Sequence, residues 1–121
     1  MNPFFMALLS ICISVAAQFC LKAGMSTVAV KSALTQPFAW PAAWVLFTQP
    51  FVVAGFVLYG LGAVVWLSVL SRWEVSKAYP MVGFGFALTM AVGAIAGEEI
   101  TVVRVFGVAL ICIGVWVISQ S

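Results

Sequence analysis

Eight charged side chains, Lys22, Lys31, Arg72, Glu74, Lys77, Glu98, Glu99 and Arg104, are all that interrupt an otherwise apolar chain of 121 residues. An ionised group at the centre of a bilayer costs several kcal/mol, so charges in a membrane protein gather at helix ends or along a pathway. The stretches between them approach the roughly 20 residues that a helix needs to cross the hydrocarbon core. Four spans are predicted, at about 3 to 22, 51 to 71, 78 to 97 and 102 to 119. Composition agrees: 65% of residues are hydrophobic and 7% charged, with mean hydropathy +1.24, where a soluble domain carries about a quarter charged residues. Lipid offers no partner for exposed backbone, so a span is a helix or part of a closed barrel, and continuous apolar runs without strict alternation exclude the barrel. The expected fold is an all-α integral membrane bundle, one four-helix domain over residues 1–121.

The first apolar segment lacks a basic leader before Pro3 and a small-residue cleavage site followed by a soluble domain, so it is read as structure rather than as a signal peptide. Cys12, Cys20 and Cys112 all fall inside predicted spans and form neither a CxxC nor a Cys/His pattern, which reads as packing. The chain has no histidine and its carboxylates fall in connections, so neither a catalytic triad nor a metal site is expected. An enzyme, a cofactor and a nucleic-acid partner are not expected either.

The connections at 72–77, RWEVSK, and 98–101, EEIT, are short enough to make spans two, three and four a meander. The first connection is longer, and its second half, about 36–50, combines prolines with Trp40 and Trp44, which reads as a short amphipathic or re-entrant element at headgroup level, with an irregular loop as the plain alternative. An even number of spans puts both termini on one side. Lys22, Lys31 and Arg104 then share the opposite side, against Arg72 and Lys77 with the termini, which is almost no orienting bias.

Span four carries Gly107 and Gly114 on one face with Leu110 and Ile111, a strip along which two helices can approach closely. Its natural use is a dimer of four-helix subunits, and packing within one subunit is the alternative. Span three contains Gly83, Gly85, Gly93 and Gly97. Pro80 and the Gly83-Phe84-Gly85 triplet make its start easy to bend, which suits a gate as well as ordinary capping.

SVAAQFCLKAGM in span one, WLSVLSRWEVSKAYPM across the second turn and GEEITVVRVFGVALICIGVWVI at the end resemble the four-helix members of the drug/metabolite transporter superfamily. The C-terminal order Gly97-Glu98, Gly107, Gly114 is similar to the end of an EamA-type repeat. The Ser-Val-Ala-small-Gln start, the Trp-Leu-x-Val-Leu run and the Ala-Tyr-Pro-Met turn resemble most the subunits of the aminoarabinose-phosphoundecaprenol flippase, over nearly the whole chain except residues 26 to 50. The small multidrug resistance transporters are similar at Met1-Asn2-Pro3, Lys22, Trp66, Ala78-Tyr79 and the Gly107 to Gly114 strip. They couple transport through a glutamate in the first helix, where this chain has Ser14. The resemblance implies a multi-pass protein of the bacterial cytoplasmic (inner) membrane.

One further pattern points to the substrate. Ser10, Ser14, Gln18 and Lys22 are spaced four apart in span one, so they drift slowly around one helix face as a ladder from hydroxyls to an amide to a cation. Hydroxyls and an amide suit sugar oxygens, and an ammonium suits a phosphate. The alternative is that Lys22 snorkels and the serines bond to their own helix. Ser14, Gln18 and Lys22, with the aromatics Tyr59, Trp66 and Tyr79, form the candidate binding set, and Pro80, Gly83 and Gly85 the candidate gate. The leading expectation is a flippase for a polyprenyl-phosphate-linked sugar or similar amphiphile, working in membrane lipid as a homodimer or heterodimer. A proton-coupled exporter of cationic drugs or metabolites is the second reading, and an assembly subunit without its own path the third.

Overall fold

The computed structural model describes residues 2–35 and 40–121, and among them every regular element is helical. In chain order these are α1 (Pro3–Met25), α2 (Val28–Leu34), α3 (Trp40–Thr48), α4 (Pro50–Leu70), α5 (Val75–Ala78), a 3₁₀ turn (Tyr79–Val82), α6 (Gly83–Ile95) and α7 (Val102–Ser119). Because α5, the 3₁₀ turn and α6 run on as one stretch, four helical segments, Pro3–Met25, Pro50–Leu70, Val75–Ile95 and Val102–Ser119, are long and apolar enough to cross a membrane. The chain is an all-α, multi-pass membrane protein.

Local sequence sets the helix starts. Asn2 and Gln49 each precede a proline, whose fixed φ and missing N–H suit the first helical position. Asn2 Oδ1 accepts from the Phe4 N–H at 2.9 Å, Gln49 Oε1 from Phe51 and Val52 at 2.6 and 3.1 Å, and Thr101 Oγ1 from Arg104 at 3.2 Å. Each cap satisfies amides that neither lipid nor the helix itself could serve.

The charged residues mark the spans but do not end them. α1 runs three residues past Lys22, because a lysine stem can carry its charge outward from a continuing helix; Ser26 closes the helix, with its N–H and its hydroxyl donating to Lys22 O at 3.0 and 2.7 Å. The third span begins at Val75, upstream of Lys77, whose ammonium sits 4.7 Å from the Trp73 ring centroid and is thereby accommodated in the first turn. In the first connection, α2 forms where no element is expected from sequence, started by Thr27, whose Oγ1 accepts from the Val30 N–H at 3.4 Å. Residues 36–39 of the expected headgroup-level element lie outside the described residues. The remainder is α3, which buries none of its residues, exposes Trp40 and Trp44, and stacks Phe47 on Phe56 of α4 with ring centroids 6.0 Å apart.

α1 and α4 form the tightest pair. Ala7, Ser10, Ser14, Ala17, Leu21 and Gly24 alternate three and four apart on α1, and Val52, Gly55, Tyr59, Gly62, Trp66 and Val69 do the same on α4, the spacing that keeps one seam facing a partner helix. The two seams meet antiparallel. A Cβ on Gly24 would stand 2.8 Å from Val52 N, one on Gly55 2.6 Å from the Leu21 side chain, and one on Gly62 3.2 Å from Ser14 Oγ. At the far end Ala7 packs with Val69 and Ala78. Small residues are what this pairing requires, because lipid tails are as apolar as the helices and association rests on close backbone contact and interhelical hydrogen bonds.

The other helices assemble on α1. Gly85 brings α6 onto Ile11, and Gly83, on the other side of the same turn, brings α7 onto α6 through Val115 and Ile111. Ile11, Val15, Met81 and Val115 form the buried cluster that joins α1, the 3₁₀ turn and α7. Of the four spanning segments α7 is the least buried, with Val115 its one buried residue.

Candidate substrate-binding site

Between α1, α4 and α6 lies a cavity of about 230 Å³ lined by Ser10, Ser14 and Gln18 of α1, Tyr59 and Trp66 of α4, and Gly85, Phe86 and Thr89 of α6. Four of the sequence-predicted binding residues, Ser14, Gln18, Tyr59 and Trp66, are brought together here. The α1–α4 seam explains how. Tyr59 and Trp66 flank Gly62, which lets α1 come close enough to set its hydroxyls beside the two aromatic rings.

The four-residue ladder divides along its length. Ser10 is buried and donates to Gly62 O of α4 at 2.7 Å, a bond between helices and not back to its own turn. Ser14 is half-buried, and Gln18 and Lys22 are exposed. Each four-residue step overshoots a full turn by about 40°, so the ladder leaves the α4 seam as it rises and enters open space.

Lys22 does not line the first cavity. It lines a second, of about 190 Å³, with Gln18, Phe19, Thr89 and Glu98. Gln18 and Thr89 border both. Going from Ser10 to Lys22 the wall therefore offers hydroxyls, an amide and then charge, beside aromatic rings. Tyr79 stands apart, 68% exposed, in a groove between the 3₁₀ turn and α7 with Pro80, Gly83, Ile111 and Gly114.

Thr89 and Glu98 line these cavities and are not among the sequence-predicted site residues. Thr89 had a signal: it is the only hydroxyl between Tyr79 and Thr101. Glu98 had none beyond the Gly97-Glu98 pair, because its role depends on how α6 ends. Gly97 takes φ +91° and donates its N–H to Ala94 O at 3.2 Å, while the Glu98 N–H reaches Gly93 O at 2.9 Å. This is the paired closure that a left-handed glycine makes possible. It turns the Glu98 side chain back over Gly93, where the carboxylate fills the place that a Cβ on residue 93 would take.

Of the expected contact strip on α7, Gly107 and Gly114 have, beyond their chain neighbours and their own helix backbone, no atom within 4 Å of where a Cβ would stand, and Leu110 is exposed. Ile111 packs within the subunit, against Gly83. Gly83 and Gly85 are themselves close-contact positions, at the 3₁₀-to-α junction beside Pro80.

Comparison with known proteins finds half-length matches. Proteins named as probable 4-amino-4-deoxy-L-arabinose-phosphoundecaprenol flippase subunit ArnE are 41% identical over 63 residues in Pseudomonas savastanoi pv. phaseolicola, 40% over 63 in Pseudomonas syringae pv. syringae and 41% over 64 in Yersinia pestis. The matched stretch is 51–52% of this chain, and the chain spans only 55–58% of the length of these relatives. No family model and no solved structure matches the chain.

Proposed function

We propose that this chain is a transporter subunit that moves a polyprenyl-phosphate-linked sugar across the bacterial cytoplasmic membrane by alternating access, the sugar being an aminopentose as in the relatives' names. The observation that carries this reading is the cavity wall that begins with hydroxyls and aromatics at Ser10, Ser14, Tyr59 and Trp66 and, past Gln18 and Thr89, reaches Lys22. Hydroxyl and amide groups exchange hydrogen bonds with sugar oxygens, aromatic faces cover the ring's apolar side, and the ammonium meets the phosphate. The prenyl tail stays in lipid, which a cavity opening between helices permits.

A proton-coupled cation exporter is less well served. Its coupling chemistry needs a carboxylate at membrane depth, and the cavity between α1, α4 and α6 has Ser14 where the similar small transporters have glutamate. The working unit in this reading is a homodimer or a heterodimer with a related four-helix subunit, since four helices leave the cavity open on one side. Contact runs along Gly107, Leu110, Ile111 and Gly114, and the bend at Pro80, Gly83 and Gly85 serves as the gate.

The test is transbilayer movement of the lipid-linked aminopentose in vesicles containing the purified protein, alone and with a candidate partner subunit. Movement that depends on the protein, with no gain in cation tolerance when it is expressed in a sensitised host, is the expected result. Cation resistance without headgroup movement would overturn the proposal in favour of the exporter.

A further inference from the structure

We infer that Glu98 is the specificity-determining residue that reads the positive charge of the headgroup, so that the site selects a zwitterion, an anionic phosphate with a cationic amine, over a neutral-sugar phosphate; this rests on the flippase reading above. The placement of the carboxylate carries the inference. The closure at Gly97 fixes the Glu98 backbone over the last turn of α6, and glycine at 93 leaves the space into which the side chain folds. From there Glu98 borders two cavities, one with Gln18, Lys22 and Thr89 and another of about 380 Å³ with Met90 and Arg104.

Glu98 and Lys22 line one small cavity, yet among the described residues they form no ion pair with each other. Arg104, which shares the larger cavity with Glu98, donates one N–H, from Nη1, to Glu99 O at 2.7 Å and forms no ion pair with Glu98 among the described residues. An anion alone would meet Glu98 as a repulsive neighbour, and a cation alone would meet Lys22. A ligand with both charges satisfies both walls, and discrimination against the others comes from the repulsive element as much as from the attractive one. Glu99, the next residue, borders neither cavity, which makes it the control for loop charge in general.

The experiment measures binding of two short-chain polyprenyl phosphates to the reconstituted full-length protein, one carrying a 4-aminopentose and one the same pentose with a hydroxyl in place of the amine. The unaltered protein should prefer the aminated lipid about fivefold, the upper range for a solvent-reachable ion pair. Glu98→Gln should abolish that preference and bind the hydroxyl lipid no more weakly than before. Gly93→Ala, which pushes the carboxylate off its seat without removing it, should reduce the preference too, and Glu99→Gln should retain it. Lys22→Met should weaken both lipids alike. A preference that survives Glu98→Gln overturns the inference while the flippase reading stands, as does an equal loss of both lipids in that variant, which would mark a merely structural role. If the correctly folded unaltered protein binds neither lipid, the flippase reading itself falls.

Discussion

At the scale of single residues, the ladder on α1 shows that one sequence pattern can hold two kinds of polar group. Ser10 is spent on structure: its hydroxyl ties α1 to Gly62 O of α4 in a buried bond of 2.7 Å. Ser10→Ala removes the donor but leaves the Gly62 carbonyl in its own helix, so no acceptor is stranded, and the expected cost is about 0.5–1 kcal/mol, as for other interhelical bonds in membranes. Thermal unfolding in detergent measures it; a loss of more than about 2 kcal/mol would mean the serine does something further. Gln18 and Lys22 are exposed and border the cavities, and in the proposed reading they are the other kind. The Gln18→Leu/Lys22→Met double variant should keep its helicity and assembly while headgroup movement in vesicles falls about tenfold or more, the low end for losing a charge-assisted hydrogen bond. Unchanged movement would return Lys22 to the role of a snorkelling anchor.

At the scale of elements, glycines do different work according to what faces them, and the contrast is measurable. Gly24 on α1 lies against the backbone of α4, where a methyl group would meet Val52 N at 2.8 Å, whereas Gly60 on α4 has nothing within 4 Å. Gly24→Ala must therefore push the start of α4 aside and should destabilise by about 1–3 kcal/mol, as overpacking does. Gly60→Ala, free of contact and better suited to a helix, should be neutral or slightly stabilising. Equal effects of the two in a detergent unfolding assay would contradict the α1–α4 seam. Gly97 belongs to a third kind. At φ +91° a side chain is strained whatever the space, so Gly97→Ala should cost about 1 kcal/mol or more and loosen the end of α6, seen as faster amide exchange at Glu98.

At the scale of the whole molecule, α7 is the least buried of the four spanning segments. A side chain added at Gly107 or Gly114 meets nothing there, so Gly107→Leu/Gly114→Leu should leave the monomer's stability unaltered while it separates two subunits packed along that strip. The expected result is loss of crosslinked dimer at constant monomer helicity. A fully dimeric double variant would move the contact to another helix. Four spans also put the two ends of the chain together. Reporters fused to each terminus should agree on the side within any one inserted population, and opposite sides for one molecule would contradict the four-span architecture.

What the sequence by itself determined follows from solvation, which needs no knowledge of neighbours. Eight charges in 121 residues leave four apolar stretches that lipid forces into helices. The capping side chains Asn2, Gln49 and Thr101 act within their own turn, so the starts they make need no tertiary contact. Ser14, Gln18, Tyr59 and Trp66 could be nominated because polar and aromatic groups stand out in an oily helix. Tertiary structure decided the rest, because each remaining point depends on distances between helices. Packing, and no local signal, sent Ser10 to Gly62 and Lys22 to a separate cavity beside Glu98, and placed Tyr79 in another groove altogether. Helix α2 sits in a stretch too short and mixed for a periodic signal, and its Val30 is fully buried. The Gly83-Phe84-Gly85 triplet reads as flexibility in a string of letters. In three dimensions its two glycines admit two different helices, α7 and α1, because only a missing Cβ lets both come so close to one turn of chain.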